Sequence, residues 1–260
     1  MSRANDVQRI LEGLHAAAEA VRPFTPGDIE FQTKEVRDDP VTAADEAADE
    51  VLKRILPQPG EGWLSEESVD DASRLDCARV WVVDPIDGTR EFIEGIPEWC
   101  ISIGLLEGGI PVAGGIFNPA TEELVLGSLE DGVTLNGEAV RVTEPSITNG
   151  TSVSVLASRS EIRRGEWDRF EGGRFDVRPC GSVAYKLGLV AAGLADATWT
   201  LVGKSEWDVV GGTALVRAAG GTVCLRDGTE PLFNQPRPVY PNYVAAGQGV
   251  AKAATEAWLK

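Results

Sequence analysis

The chain contains very little of several residue types on which common kinds of protein depend. Of its 260 residues only His15 is a histidine, and it lies far along the chain from every acidic motif. A mechanism that needs a catalytic histidine is therefore disfavoured. The four cysteines are scattered, with no Cys-x-x-Cys pair and no histidine beside them. A zinc site and a disulfide framework are both disfavoured, and a reducing compartment is expected.

Long apolar runs and an excess of positive charge are missing too. No segment approaches the roughly 20 apolar residues that span a bilayer. The N-terminus repeats its apolar residues as one face of a helix and lacks the layout of a signal peptide, so we expect a cytoplasmic protein. The net charge of −17 disfavours nucleic acid and anionic membranes as partners. That charge suits a phosphate-binding enzyme only where metal ions invert the local electrostatics.

The most informative segment is WVVDPIDGT, at residues 81–89, in which a hydrophobic strand ends in two carboxylates. A proline restricts the turn after Asp84, and Gly88 permits backbone conformations that are closed to other residues. Such a turn can aim the oxygens of Asp84 and Asp87, with the carbonyl of Ile86, at one point. Oxygen ligands on a rigid loop suit Mg²⁺. The alternative for this segment alone is a solvated turn that closes a hairpin.

Further acids lie elsewhere in the chain. Glu66 and Glu67 follow a short apolar run, and Thr42 with Asp45 resembles the capping box that opens a helix. Asp208 also opens a helical pattern. Asp45 and Asp208 each have a simpler interpretation, since a carboxylate in the first turn of a helix is favoured by the helix dipole.

Together these segments resemble the inositol monophosphatase superfamily of Mg²⁺-dependent, lithium-sensitive phosphomonoesterases. The matching motifs, in chain order, are Lys34…Asp45 ending in VTAAD, Ser65-Glu66-Glu67-Ser68, WVVDPIDGTREFIEG and WDVVGG. They occur in the family's order over nearly the whole chain. The resemblance implies a mixed α+β and α/β fold, a layered α-β-α-β-α sandwich of the inositol monophosphatase and fructose-1,6-bisphosphatase type. It also implies two or three Mg²⁺ ions, a small phosphorylated metabolite as substrate, and a homodimer.

The resemblance implies metal-binding roles for five residues. Glu66, Asp84 and the Ile86 carbonyl would hold one Mg²⁺. Asp84, Asp87 and Asp208 would hold a second, so that Asp84 bridges the two ions. Glu66 would also contact a weaker third ion.

The implied catalytic and substrate-binding residues surround these ligands. Thr89 would position the attacking water, Asp45 would accept its proton, and Glu66 would act with them through its metal. Glu67 would lie behind the ligands. The residues expected to contact substrate are Gly88, Thr89, Arg159, Gly181, Ser182, Lys186, Lys204 and Asp208.

The substrate is predicted from variants around these motifs. REFI after Thr89, the triplet Ser158–Ser160 and Ser205–Asp208 resemble the 3′(2′),5′-bisphosphate nucleotidase branch, which converts adenosine 3′,5′-bisphosphate to AMP and phosphate. Inositol enzymes of the family usually carry an acid seven residues before the aspartate of the Trp-Asp motif, where this chain has Leu201. The alternative is a phosphatase for inositol 1-phosphate or a related polyol, sugar or histidinol phosphate. A non-catalytic phosphate sensor is the remote alternative.

The pattern of predicted elements changes near residue 148. An N-terminal α+β part, 1–148, would contain an antiparallel sheet and the metal-binding loops, and a C-terminal α/β part, 149–260, would complete the active site between them. The predicted helices are 5–22, 42–56, 161–170, 182–192, a run from Asp208 to Ala219, and a last helix. The predicted strands are 80–83, 99–106, 110–117, 123–126, 138–142, 152–157, 175–178, 195–200, 222–225 and 242–246. The proline-rich stretch Pro231–Pro241 is predicted as a surface loop.

Overall fold

The computed structural model describes residues 2–33, 40–148, 151–170 and 172–258. Lys34, the first residue of the motif that ends at Asp45, lies outside these ranges. No helix within them is long and apolar enough to cross a membrane. The α-helices of the described residues are α1 (Arg3–Val21), α2 (Ala43–Ile55), α3 (Thr89–Ile93), α4 (Arg159–Arg163), α5 (Val183–Ala191), α6 (Glu206–Ala218) and α7 (Gln248–Trp258).

The N-terminal part contains a seven-stranded sheet and a small antiparallel ribbon. The ribbon pairs β1 (Phe31–Thr33) with β2 (Pro40–Thr42). The sheet runs in chain order and is antiparallel throughout, except that its first two strands are parallel. Its strands are β3 (Gly62–Ser65), β4 (Arg79–Asp87), β5 (Cys100–Glu107), β6 (Ile110–Asn118), β7 (Glu123–Ser128), β8 (Gly132–Leu135) and β9 (Glu138–Val140).

The C-terminal part contains a mixed five-stranded sheet in the order β11-β10-β12-β16-β14. Strand β10 runs parallel to both of its neighbours, and the remaining pairs are antiparallel. A separate short pair, β13 with β15, joins the start of α6 to the proline-rich loop. The strands are β10 (Val153–Ser158), β11 (Phe175–Cys180), β12 (Ala197–Thr200), β13 (Lys204–Ser205), β14 (Thr222–Cys224), β15 (Val239–Tyr240) and β16 (Tyr243–Ala246).

Strand β4, which carries the site, is buried on both faces. Trp81 and Val83 pack with α1 and α2, whereas Val80 and Val82 face α5 and α6. Side chains alternate between the faces of a strand, so a strand covered on both sides needs a continuous apolar run. This explains the WVV sequence that precedes the two aspartates.

The helices and sheets stack in five layers. Helices α1 and α2 cover the outer face of the seven-stranded sheet, α5 and α6 lie between the two sheets, and α4 and α7 cover the outer face of the second sheet. This confirms the predicted α-β-α-β-α sandwich. The proposed division near residue 148 falls between the last strand of one sheet and the first strand of the other.

Glycines bring α6 unusually close to the seven-stranded sheet. A Cβ atom at Gly104 would lie 2.7 Å from the backbone nitrogen of Gly211, and one at Gly114 would lie 2.3 Å from the Gly211 carbonyl oxygen. A Cβ atom at Gly211 itself, the first glycine of the WDVVGG motif, would lie 2.8 Å from the carbonyl oxygen of Ile103, so this glycine too is needed for the helix–sheet contact. This contact sets the position of Asp208 in the first turn of α6.

Most predicted elements lie within a few residues of their observed bounds, and one helix is wrong. The predicted helix 161–170 is the short helix α4 followed by a separate 3₁₀ turn at Asp168–Phe170. Gly165, with a φ of +73°, ends the helical path between them. The predicted elements omit the five-residue helix α3 and six strands of only two to four residues each, namely β1, β2, β3, β8, β13 and β15.

Candidate metal centre and active-site cleft

Three carboxylates from distant parts of the chain meet at one point. Oxygens of Glu66, Asp84 and Asp208 lie within 4.8 Å of one another. Glu66 follows the end of β3, Asp84 lies on β4, and Asp208 lies in the first turn of α6. Asp87 lies at the end of β4, where the pairing with β5 shifts register between the two aspartates. Such an irregularity bends the strand and changes the direction of its side chains.

The electrostatics of this cluster disfavour several bare negative charges and favour a bound cation. Burial raises the pKa of Asp84 well above its usual range, and the charges of Glu66, Asp87 and Asp208 raise it further. Burial and the charge of Asp87 raise the pKa of Asp208 to about 7, although Lys204 opposes them. Oδ2 of Asp84 is buried and receives no hydrogen bond from any residue that the structure describes.

This donor set fits Mg²⁺. Carboxylate oxygens are the ligands that this ion prefers, and a buried acceptor without a donor is costly unless a cation occupies its lone pairs. Glu66, Asp84 and Asp208 are the residues that geometry brings together. Asp87 and Ile86 line the same cleft, and their ligand roles stay predictions.

Thr89 and Asp45 meet beside the cluster. The Thr89 hydroxyl lies 3.2 Å from Oδ1 of Asp45 and 3.0 Å from the carbonyl oxygen of Ile86. The other oxygen of Asp45 accepts hydrogen bonds from the backbone nitrogen and hydroxyl of Thr42, at 2.8 and 2.6 Å. The capping interaction expected from the sequence is therefore present. It leaves the second oxygen of Asp45 directed at Thr89.

A second aspartate of α2, one turn after Asp45, holds the glutamate loop. Asp49 accepts hydrogen bonds from the hydroxyls of Ser65 and Ser68, which flank Glu66. Asp49 is not among the residues predicted for the site, although its spacing of four residues from Asp45 places both on one face of the helix. Helix α2 therefore positions two parts of the site.

Gly88 makes the sharp turn into α3. Its φ is +99°, and a Cβ atom there would lie 3.0 Å from the carbonyl oxygen of Glu98 and 3.1 Å from Cβ of Trp99. Only glycine meets both requirements without strain. The turn brings the backbone of Gly88 and Thr89 to the wall of the cleft.

Ser182 contacts a predicted metal ligand. Its hydroxyl donates to Oδ2 of Asp87 at 2.8 Å and accepts a hydrogen bond from the backbone nitrogen of Tyr185 at 2.9 Å. The backbone nitrogen of Ala184 also donates to Oδ2 of Asp87. The N-terminus of α5 therefore holds one oxygen of Asp87 in place. The predicted contact of Ser182 with substrate stays a prediction.

Two of the cations predicted to bind substrate are engaged by other groups of the protein. Lys186 is buried, and its ammonium group donates to the backbone carbonyls of Cys180, at 3.2 Å, and Ser182. Its burial lowers the pKa of Lys186. Arg159 forms a two-point ion pair with Glu98, at 2.5 and 2.6 Å. The same carboxylate accepts a hydrogen bond from the backbone nitrogen of Gly181 at 2.7 Å.

A cleft of about 910 Å³ opens above the acidic cluster. The lining includes Gly181, Lys186 and Lys204 from the predicted set. It also includes cations that the sequence analysis did not single out, namely Arg163, Arg164 and Arg237. The floor of the cleft is therefore acidic, and its walls carry positive charge. Such an arrangement suits metal ions below and an anionic ligand above them.

Comparisons with known proteins agree with this geometry. A model described as the inositol monophosphatase family matches residues 5–259. The chain is 35% identical over 226 residues to the Nus factor SuhB of Xylella fastidiosa, covering 84% of this chain and 80% of that protein. It is 32% identical over 203 residues to inositol monophosphatase 1 of Solanum lycopersicum, covering 74% of each. The structure of an inositol monophosphatase from Anabaena (Nostoc) sp. PCC 7120 superposes with a TM-score of 0.78 at 27% identity, covering 97% of this chain and 94% of that one.

Proposed function

The chain belongs to the inositol monophosphatase family and is therefore a phosphatase, and we propose on that premise that it hydrolyses phosphomonoesters of small polyols or sugars with Mg²⁺. The observation that carries the proposal is the meeting of Glu66, Asp84 and Asp208 beneath the cleft, with a buried oxygen of Asp84 that lacks a donor among the described residues. The name of the Solanum lycopersicum relative, inositol monophosphatase 1, favours inositol phosphates as the first substrates to test. It supports the polyol alternative better than the nucleotidase branch that the sequence motifs suggested.

Different residues of the chain would position the water, accept its proton and bind the phosphoryl oxygens. Mg²⁺ bound by these carboxylates supplies positive charge that makes water a better nucleophile at neutral pH and offsets the charge of the phosphoryl oxygens. The Thr89 hydroxyl, when it donates to Oδ1 of Asp45, keeps its lone pairs free to accept a hydrogen bond from the attacking water. As the water attacks, its proton would pass to the Thr89 hydroxyl while the Thr89 proton passes to Oδ1 of Asp45, because Thr42 already occupies Oδ2. The backbone N–H groups of Gly88 and Thr89 would bind the phosphoryl oxygens.

A panel of phosphomonoesters tests this function. Inositol 1-phosphate, fructose 1,6-bisphosphate, histidinol phosphate and adenosine 3′,5′-bisphosphate are each incubated with the purified chain in Mg²⁺ or in EDTA, and phosphate release is measured. We expect Mg²⁺-dependent turnover of inositol 1-phosphate. The Asp84→Asn variant, prepared in the same way, controls for contaminating phosphatases. The proposal is wrong if no member of the panel is hydrolysed, or if the variant is as active as the parent.

The second candidate is the bisphosphate nucleotidase, and the observation that favours it is Leu201. This residue stands where polyol enzymes of the family usually carry an acid, and its side chain packs at the edge of the apolar cluster around Trp199. Its backbone nitrogen bonds to the buried carboxylate of Glu161 at 3.1 Å. Without that acid, the cleft lacks one hydrogen-bond partner for the hydroxyl groups of a polyol substrate. More efficient turnover of adenosine 3′,5′-bisphosphate than of inositol 1-phosphate would establish this second candidate.

A homodimer, expected from the family resemblance, also stays a proposal. Sedimentation equilibrium of the purified chain tests it directly. A single species of the 27.7 kDa protomer mass at micromolar concentration would contradict it.

A further inference from the structure

The proline-rich loop at 231–241 is held firmly by a residue of the Trp-Asp motif. The buried carboxylate of Glu206 accepts hydrogen bonds from the backbone nitrogens of Asn234, at 3.0 Å, and Gln235, at 3.1 Å. The backbone nitrogen of Glu206 donates to the carbonyl oxygen of Pro238 at 3.0 Å. Glu206 therefore holds the loop on both sides of its tip.

A buried arginine also holds this loop. The guanidinium of Arg74 donates to the side-chain oxygen of Asn234, at 2.6 Å, and to the carbonyl oxygen of Gln235, at 3.0 Å. Asp70 balances its charge through an ion pair of 2.9 Å. Asn234 adopts a φ of +55°, which few residues other than glycine and asparagine accept readily. This conformation and the buried arginine together define the path of the loop.

The end of the loop is fixed by a strand pair. Val239 and Tyr240 pair with Ser205 and Lys204 immediately before α6. The Tyr240 hydroxyl donates back to the carbonyl oxygen of Leu232 at 2.8 Å. A surface loop with this many internal bonds has lost most of its conformational freedom, and a side chain at its tip is correspondingly well placed.

The residue at the tip is Arg237, between Pro236 and Pro238. It is exposed, it lines the cleft, and within the described ranges no carboxylate or other acceptor engages its guanidinium. Arg164, which also lines the cleft, is instead paired with Glu166 at 2.6 Å. In a chain of net charge −17, an exposed arginine that faces the cleft with no acidic partner among the described residues is available to an anionic ligand.

We propose that Arg237 determines specificity by binding an anionic group on the leaving-group side of the phosphomonoester, and that Glu206 and Arg74 are positioning residues for it. Arg163, which also lines the cleft without a partner in the described part of the chain, would add to the same positive region. The group bound is a second phosphate or a carboxylate, since a guanidinium recognises both through paired hydrogen bonds. The inference rests on the proposed phosphatase function and narrows its substrate class.

The test compares Arg237→Gln with Arg141→Gln, which makes the same change of charge at an exposed arginine outside the cleft lining. Steady-state kinetics are measured with fructose 1,6-bisphosphate and adenosine 3′,5′-bisphosphate for a second phosphate, 2-phosphoglycerate for a carboxylate, and inositol 1-phosphate for neither. Arg237→Gln should lower the ratio of kcat/KM for a doubly anionic substrate to that for inositol 1-phosphate by about 10- to 100-fold, the usual effect of losing a charged hydrogen bond. The loss should appear mainly in KM.

The outcomes separate this inference from the proposed function. If the parent hydrolyses none of the substrates, the proposed function itself fails. If the parent is active and Arg237→Gln leaves the ratio unchanged for both the phosphate and the carboxylate substrates, Arg237 has no part in specificity. An equal fall with Arg141→Gln would show a general effect of charge and would also overturn the inference.

The positioning role is tested by Glu206→Gln, which keeps the shape of the side chain but can no longer accept both backbone bonds. It should raise KM for the doubly anionic substrate as Arg237→Gln does, and the double variant should be no worse than Arg237→Gln alone. Asn234→Gly provides a second route, because it keeps the backbone conformation and removes a partner of Arg74. If the losses of kcat/KM add in the double variant, or if they are equal with inositol 1-phosphate as substrate, these residues act on stability and not on the position of Arg237.

Discussion

The carboxylate of Asp45 faces the hydroxyl of Thr89, with 3.2 Å between Oδ1 and Oγ1, although the two residues lie 44 positions apart in the chain. One residue opens α2 and the other opens α3. Because the starts of these two helices meet, Asp45 and Thr89 form a candidate proton-transfer pair. The capping bonds from Thr42 explain why the carboxylate keeps this orientation.

Asp45→Asn should lower kcat strongly and change KM little. The amide keeps the size of the side chain and can still accept the capping bonds, but it cannot receive a proton, and general-base catalysis contributes about 10²- to 10⁴-fold. Glu46→Gln, an exposed neighbour in the same helical turn, is the matched control and should behave as the parent. Kinetics with saturating Mg²⁺ measure the effect, and a variant with more than half of the parent's kcat would remove Asp45 from the mechanism.

Asp84→Asn should lower kcat by at least about 10³-fold, because Asp84 lies at the centre of the proposed metal site and helps to organise the transition state. The metal-free variant should unfold at a higher temperature than the metal-free parent, since one of several mutually repelling buried charges is gone. Addition of Mg²⁺ should raise the melting temperature of the parent much more than that of the variant.

Asp76→Asn, at an exposed site away from the cleft, is the control for Asp84→Asn. An equal rise of melting temperature with Mg²⁺ in parent and Asp84→Asn would contradict the assignment of this site. So would a catalytic rate above about a tenth of the parent's, given the size of the expected loss.

Lithium should inhibit the enzyme, an expectation that comes from the family resemblance. If a weakly held ion near Glu66 and Asp208 must leave with the product, Li⁺ in its place retains the product complex. Inhibition should then be uncompetitive or mixed with respect to substrate, and high Mg²⁺ should inhibit as well. Full activity in tens of millimolar Li⁺, measured in the phosphate-release assay, would show that this third site is altered or missing.

Glu61 should contribute to stability in a way that depends on pH. Burial by itself would raise the pKa of Glu61, but hydrogen bonds from Arg9, Trp81 and Arg79 outweigh it and lower that pKa to about 2. A lowered pKa gives stability that is complete above the unfolded value of 4.5 and is lost as the pH falls toward 2. Glu61→Gln should therefore cost about 3 kcal/mol at pH 7, because it breaks a buried ionic network.

The difference between parent and Glu61→Gln in free energy of unfolding should shrink as the pH falls below about 4.5. Denaturant titrations at several pH values measure it, with the exposed Glu50→Gln as a control that keeps its small effect throughout. A difference that grows on acidification would show that this carboxyl is not stabilised in its charged form.

The acidic centre could be predicted from the sequence because each of its residues belongs to a short local pattern. The apolar run before Asp84 predicts a buried strand, and Gly88 marks the tight turn after it. Thr42 with Asp45 predicts the start of a helix, and the structure shows that cap. These patterns depend on backbone conformation over a few residues, which neighbouring residues largely decide.

The partners of the cations could not be predicted in this way. Arg159 and Lys186 were expected in the substrate site, yet Glu98 engages the first and backbone carbonyls of the loop before α5 surround the second. The sequence predicts only a surface loop around Arg237, although the prolines on either side of it indicate a restricted backbone. A long charged side chain reaches several ångströms, so its partner depends on which distant element packs beside it.

Motif spacing and local backbone preferences therefore identify the family, the carboxylates of the acidic cluster and the turn that presents them. The packed fold adds which oxygen of Asp87 is held by Ser182, which cations are paired with other groups of the protein, and which arginines face the cleft. These features could not be read from short patterns, because contacts between elements far apart in the chain settle how charges and hydrogen-bond donors pair. Those contacts exist only once the two sheets have packed around α5 and α6.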